Sequence, residues 1–291
     1  MKYKLSLIAF AALTSVAAQA ADWSDTALTY RHGSKFAEPY GNTDISKNIV
    51  GLTHVSGYKY GTNFFNVDML MSNSKDPATA TSSEGAREVY VVYRNTVDLE
   101  KATGKSFKTS GVRGLGVTAG FDFNTKTDAG YNSKKEMFVV GPTLMLDVPG
   151  FLNVSLLALF ESNSPFNGYS STSTPRYNYD THPMISLSWG IPFSVASVPL
   201  SFEGFANLIT AKGKNEFGGD TAAETNIDMQ VMYDMSSAVN ASKNTFKVGL
   251  EYQYWKNKFG NPTTATTNSS TGQAGPGAFA KTPMIRAEYH F

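Results

Sequence analysis

Apolar and polar side chains alternate along this chain in segments of about ten residues, which is the period of a β-strand with two unlike faces and the length that crosses a bilayer at a tilt. In the stretch beginning at Glu224, Ile227, Met229, Val231, Tyr233 and Met235 share one face, and Asn226, Asp228, Gln230, Met232 and Asp234 share the other. Phe246, Val248, Leu250, Tyr252 and Tyr254 alternate in the same way with Lys247, Gly249, Glu251, Gln253 and Trp255. So do Val89, Val91, Tyr93, Val97 and Leu99 with Glu88, Tyr90, Arg94, Thr96 and Asp98. Twelve such strands are predicted, near 25–32, 48–58, 61–72, 87–99, 112–124, 135–147, 151–162, 181–192, 199–211, 224–235, 245–257 and 283–291. Long polar segments precede even-numbered strands, at 73–86, 163–180, 212–223 and 259–281, whereas Lys59-Tyr60-Gly61 and Val148-Pro149-Gly150 are tight turns; 100–111 is longer than this rule. The pattern predicts an all-β fold, a single closed antiparallel transmembrane β-barrel of twelve strands with apolar faces toward lipid and polar faces around a lumen.

A soluble β-sandwich would also bury an apolar face, but it does not require uniform strand length or loops long at one end only. Phe121, Phe123, Phe160, Tyr233, Tyr254 and Tyr289 fall near strand ends, where interfacial aromatic girdles lie. In the last strand Ile285, Ala287, Tyr289 and Phe291 share the outward face, opposite Arg286, Glu288 and His290. An apolar edge left open would aggregate, so closure against 26–31 is expected. The terminal aromatics Tyr289 and Phe291 are similar to the signal by which barrel-assembly machinery selects its clients, which makes that machinery an expected partner.

At the N-terminus, Lys2 and Lys4 precede an apolar run over 5–16 and the small-residue site Ala18-Gln19-Ala20, the pattern of a cleaved secretory signal peptide over 1–20. The barrel domain is then 21–291, bound for the bacterial outer membrane. No second apolar stretch is long enough for a membrane helix. The chain has no cysteine, so thiol and disulfide chemistry are excluded, and a formal net charge of +1 with scattered Lys and Arg offers no footprint for nucleic acid.

Two stretches resemble a known family. His54-Val55-Ser56-Gly57-Tyr58-Lys59-Tyr60-Gly61-Thr62-Asn63-Phe64-Phe65-Asn66-Val67-Asp68 is similar to a signature of the Tsx-like nucleoside-specific channel-forming outer-membrane proteins and their OmpK-type phage-receptor relatives, departing from it at Thr62 and Asn66. Val248-Gly249-Leu250-Glu251-Tyr252-Gln253-Tyr254-Trp255-Lys256-Asn257-Lys258-Phe259-Gly260 resembles that family's penultimate strand. The resemblance implies a passive, narrow channel for nucleosides or similar small solutes, with phage or another external ligand at the long loops as a further partner; a receptor barrel without selective transport is the alternative. In the first signature Gly61 is expected to supply backbone freedom to the turn, with Tyr58 and Tyr60 at the interface and Asn63 serving the turn.

Alternation places Phe64, Asp68, Glu88, Tyr90, Arg94, Asp122, Glu161, Glu203, Phe205, Asp228, Lys247, Glu251, Trp255, Arg286 and Glu288 on the lumen side, together with Arg31. These form the expected solute path, in which acids exceed bases. Half of the charges are expected to pair across the lumen, Asp68 with an arginine, Arg94 with Glu88, and Arg286 with Glu251. His54 and Ser56 share a strand face, as a His-activated serine requires, but no third residue orients the histidine, so no enzyme is expected. No His/Asp/Glu spacing marks a metal site, and no cofactor is expected.

Overall fold

A computed structural model describes residues 21–39, 41, 43–263 and 278–291. The leader expected over 1–20 lies outside the described residues. Twelve long strands run β1 (Trp23–Phe36), β2 (Ile45–Tyr58), β3 (Gly61–Ser72), β4 (Arg87–Asp98), β5 (Val112–Lys126), β6 (Glu136–Leu146), β7 (Phe151–Asn163), β8 (His182–Val195), β9 (Val198–Ile209), β10 (Glu224–Asp234), β11 (Phe246–Lys256) and β12 (Phe279–His290). Each pairs antiparallel with its neighbours in sequence, and β12 returns to β1 with Tyr289 opposite Leu28 and Arg286 opposite Arg31. The sheet is therefore a closed cylinder, and every strand is paired on both sides, which a spanning β-structure requires because hydrocarbon offers no hydrogen bonds to a free edge.

Strand ends differ from the expected ones where alternation breaks. The register between β1 and β2 shifts between Gly33 and Phe36, so β1 runs on to Phe36 past the point where its period fails. Leu99 does not continue β4, which ends at Asp98. The Asp98 carboxylate accepts the backbone N–H groups of Glu100 and Lys101 and caps a one-turn helix, α1 (Leu99–Thr103), which Gly104 ends at φ 72°. That capped turn accounts for the length of 100–111.

Connections at one end are the tight turns 59–60, 147–150 and 196–197, with the longer 99–111, which holds α1, and 235–245, which holds a single 3₁₀ turn. At the other end they are loops, described over 37–39, 73–86, 127–135, 164–181, 210–223 and 257–263. We refer to the turn end and the loop end. Gly61 opens β3 without a positive φ. Its missing side chain instead lets the backbone of Thr96 on β4 approach, a correction to its expected part in the turn.

The outer surface carries Leu28, Met69, Leu156, Ile185, Leu250 and Ile285, all about half-exposed or more, as an apolar belt. Phe121 stacks beside Phe123 at 5.1 Å and Phe138 beside Phe160 at 6.3 Å on that same outer face. The outer face of β1–β4 near the turn end holds a different group. Tyr93 and Asn95 both donate to the Asn63 side-chain oxygen at 2.8 Å, Asn95 also donates to the Tyr58 hydroxyl at 3.0 Å, and Asn63 reaches Ser56. Asn63 is thus the hub of an outer-wall network and not a turn residue: direct pairing with Asn95 on β4 and Ser56 on β2 puts the three on one face.

Apolar residues also gather inside. Met137, Val139, Leu157, Leu159 and Met184, with Ile209, fill one side of the loop-end half, and Phe36, Ile45, Ile49 and Met284, with Leu70, fill the opposite side. A twelve-strand barrel is wide enough to hold a small ligand or to be filled by its own side chains, and these two clusters narrow the loop-end half.

Candidate functional site

The lumen wall is built by the dyad period. Direct cross-strand partners share a face, so one inward residue fixes a ring of others. The chain of partners Asp68, Tyr90 and Asn124 runs from β3 to β5, and Phe205, Asp228 and Gln253 from β9 to β11. The same alternation puts Phe64, Glu88, Arg94, Asp122, Glu161, Glu203, Lys247, Glu251, Trp255, Arg286 and Glu288 on the inner wall.

Near mid-height Arg31 pairs with Asp68 and, at 3.5 Å, with Glu251. Arg286 pairs with Glu251 at 2.8 Å and with Glu288 at 2.6 Å, and His290 links Glu288 to Asp25. Gly51 makes this packing possible: a side chain there would strike Thr29 and Asp68. Gln253 adds a 3.3 Å bond to Asp228. On the neighbouring strands β4 and β5, Arg94 pairs with Asp122 at 2.5 Å and also donates to the carbonyls of Tyr93 and Phe121, while the Tyr90 hydroxyl donates to Asp122 at 3.0 Å. Arg94 does not meet Glu88, because the β4–β5 register sets Arg94 beside Gly120 and within reach of Asp122; Glu88 instead accepts from Asn124.

The loop end carries charges that the sequence reading placed nowhere. Glu38, Asp76 and Asp128 from three loops enclose Lys47, Lys126 and Lys258. Lys126 lies 3.1 Å from Asp76 and 2.8 Å from Asp128, and Lys258 lies 3.1 Å from Glu38. Burial pushes the Glu38 carboxyl up, but the ammoniums of Lys126, Lys258 and Lys47 overcome it and hold it well below the usual carboxylate range. Burial likewise dominates at Asp76 and, only partly countered by Lys126, leaves it up at about 6. A second group joins Lys135 and Lys212 to Glu161, at 3.7 and 2.7 Å, with Trp255 donating to Glu224 at 2.5 Å. Above it Glu216 of the 210–223 loop accepts the hydroxyls of Tyr131 and Tyr179 from the two preceding loops. The loop end therefore adds five lysines that were not among the expected lumen residues, each within reach of an acid. Lys126 and Lys47 lie on inward positions of strands that run past their expected limits, Lys135 immediately precedes β6, and Lys212 and Lys258 come from loops, where no periodicity could have marked them.

The turn-end half is more open. Phe64 is inward and 38% exposed. Glu203 accepts from Ser201 and Gln230, and neither Glu203 nor Lys247 has an ion-pair partner among the described residues. His54 and Ser56 lie on the outer face, where His54 Nδ1 is 2.8 Å from the Thr26 hydroxyl. Among the described residues no group of three His, Asp or Glu could hold a metal ion.

An apolar exterior, a closed hydrogen-bond cylinder and an ionic interior define a transmembrane β-barrel. No protein-family model matches this sequence, and no curated protein matches it. Solved structures similar to it include an outer membrane channel from Pseudomonas putida F1 (11% identity, TM-score 0.48, covering 92% of this chain and 95% of that one). The translocator domain of the autotransporter NalP from Neisseria meningitidis is similar at 11% identity and TM-score 0.45, over 100% of this chain and 96% of that one. The KdgM porin is similar at 8% identity and TM-score 0.39, over 91% and 99%.

Proposed function

We propose that this chain is an outer-membrane channel for passive diffusion of small polar solutes, with nucleosides as the solute class. The observation that carries the reading is the turn-end lumen: Phe64, Glu203 and Lys247 line it, with Phe205 further up the wall, Phe64 is exposed, and the two charges there are not committed to ion pairs. Carboxylates accept hydrogen bonds from ribose hydroxyls and exocyclic amines, and aromatic faces stack on bases for on the order of 1–3 kcal/mol per base. Several shallow contacts of this kind permit flux, whereas one tight site would trap the solute. At the loop end the solute passes Tyr90, Glu161 and Trp255, where the loop-borne ion networks narrow the path. Export by a leader over 1–20 and folding through Tyr289 and Phe291 by barrel-assembly machinery complete the reading.

The packed loop-end half favours a second reading, a barrel that does not conduct and whose loops receive an external ligand such as a phage. Liposome swelling separates the two. Vesicles holding the refolded protein should swell faster in adenosine or thymidine than in a sugar of equal size, and Tyr90→Ala, Phe205→Ala, Trp255→Ala or Glu203→Gln should narrow that difference. Equal rates for nucleoside and sugar exclude nucleoside selectivity, and absence of swelling with every solute favours the receptor.

A further inference from the structure

On the outer wall near the loop end lies a groove of about 360 Å³ whose two halves differ in chemistry. Its floor is Val89, Val91 and Phe123, outward residues of β4 and β5 that belong to the lipid-facing belt. Its upper lip is Lys134, Glu136 and Arg176. Arg176 is held in place: its guanidinium donates to the Ser162 hydroxyl at 2.9 Å and to the Lys134 carbonyl at 3.1 Å, and pairs with Glu136 at 3.1 Å. Three of its five N–H donors are thereby used, and the side chain is still a third exposed. Lys134 is exposed, and its ammonium makes no ion pair among the described residues. Two cations against one carboxylate leave this lip positive, directly above an apolar floor that continues down the wall through Phe121 and Tyr93, rings 5.1 and 5.3 Å apart in succession.

We infer that this groove binds a phosphorylated lipid of the leaflet at the loop end, its phosphate on Lys134 and Arg176 and an acyl chain along Val89, Val91 and Phe123. The inference rests on the membrane location in the proposed function but not on transport. A phosphate supplies the charge that the lip lacks, and a preformed guanidinium fork suits its oxygens. An acyl chain is the occupant that gains from an apolar floor already facing hydrocarbon. A soluble anion would use the lip alone, and a second copy of the chain would need an acidic patch opposite the lip and would show as a dimer.

The test is native mass spectrometry of the barrel refolded in neutral detergent, with three probes: bis-phosphorylated lipid A, the same lipid stripped of phosphate, and inorganic phosphate. One lipid A should stay bound, with at least tenfold weaker retention of the stripped lipid and none of inorganic phosphate. Lys134→Glu should lose tenfold or more, and because its ammonium has no protein partner its folding is expected to be unaltered, checked by the shift in gel mobility on boiling. Lys134→Ala with Arg176→Ala should lose more, while Lys105→Ala at the turn end should lose nothing. Equal retention of the stripped lipid, unchanged binding by Lys134→Glu, inorganic phosphate bound as well as lipid A, or a lipid-free dimer would each overturn the inference. Solute selectivity in liposome swelling is a separate readout, so failure of one reading is not failure of the other.

Discussion

Glu251→Gln is expected to destabilise the barrel more than any other neutral replacement of a lumen acid. The β1–β12 register sets Arg31 directly opposite Arg286, and the Glu251 carboxylate, with no exposed side-chain surface, lies between the two at 3.5 and 2.8 Å. With an effective dielectric of about 20, those separations correspond to roughly 5 and 6 kcal/mol of attraction. Most of that is offset, since returning a carboxylate to water recovers several kcal/mol, and each arginine keeps one acid, Asp68 or Glu288. What is not offset is the juxtaposition of two guanidiniums with their shared anion gone. Removing one partner of such a buried group costs about 3–5 kcal/mol, and the retained acids place this case near 3. Urea unfolding of the protein in lipid vesicles, followed by tryptophan fluorescence, measures it. Glu203→Gln is the control: Glu203 accepts only from Ser201 and Gln230 and should change stability by less than about 1 kcal/mol. If Glu251→Gln unfolds within 1 kcal/mol of the unmutated protein, or no differently from Glu203→Gln, the two-arginine account is wrong.

Deleting Phe291, which is largely exposed and stacks at 6.3 Å on Tyr289, should sharply lower the amount of protein in the outer membrane, read by fractionation; wild-type levels would make the terminal aromatic incidental. Asp76 titrates near 6 in the fold against an ordinary 3.8, so its contribution to stability is greatest below pH 4 and is lost as pH rises through 6. Asp76→Asn removes that loss, and the stability of the variant relative to the unmutated protein should rise between pH 4.5 and 7.5 in thermal unfolding; a difference independent of pH would refute the assignment. Leu159→Ala, at a side chain with no exposure, should cost about 2–5 kcal/mol in urea unfolding, and by emptying one side of the packed lumen it should raise single-channel conductance.

How much of this could be read from sequence follows from what periodicity can and cannot carry. Alternation assigns a face to each residue inside a regular strand, which is why Asp68, Asp122, Asp228 and Glu251 are found on the inner wall where the pattern put them. It does not say which inner residues meet. Arg94 reaches Asp122 and not Glu88 because register and reach decide, and neither is written in one strand alone. It also fails where the backbone departs from regularity: the register shift after Gly33 hid the upper part of β1, and the Asp98 cap turned an expected strand end into α1. The loop-borne charges, Glu38, Lys212, Glu216 and Lys258, became part of the site only through closure of the cylinder, which brings together loops far apart in the chain.

The outer-wall network of Tyr58, Asn63, Tyr93 and Asn95 acts as a waterline. Its hydroxyls and amides satisfy one another, yet they sit on a face that is otherwise hydrocarbon-facing, so the bilayer's polar boundary must meet β2–β4 at their height. Each residue along a strand rises about 3.3 Å, less when measured along a tilted barrel's axis, so sinking the barrel by even one residue would draw two asparagines toward the acyl chains on this flank while the rest of the girth gained nothing. A bilayer too thick for that mark has to thin beside β2–β4 or let the cylinder lean, and the angle at which the barrel stands in the membrane is thereby written into four side chains on one flank.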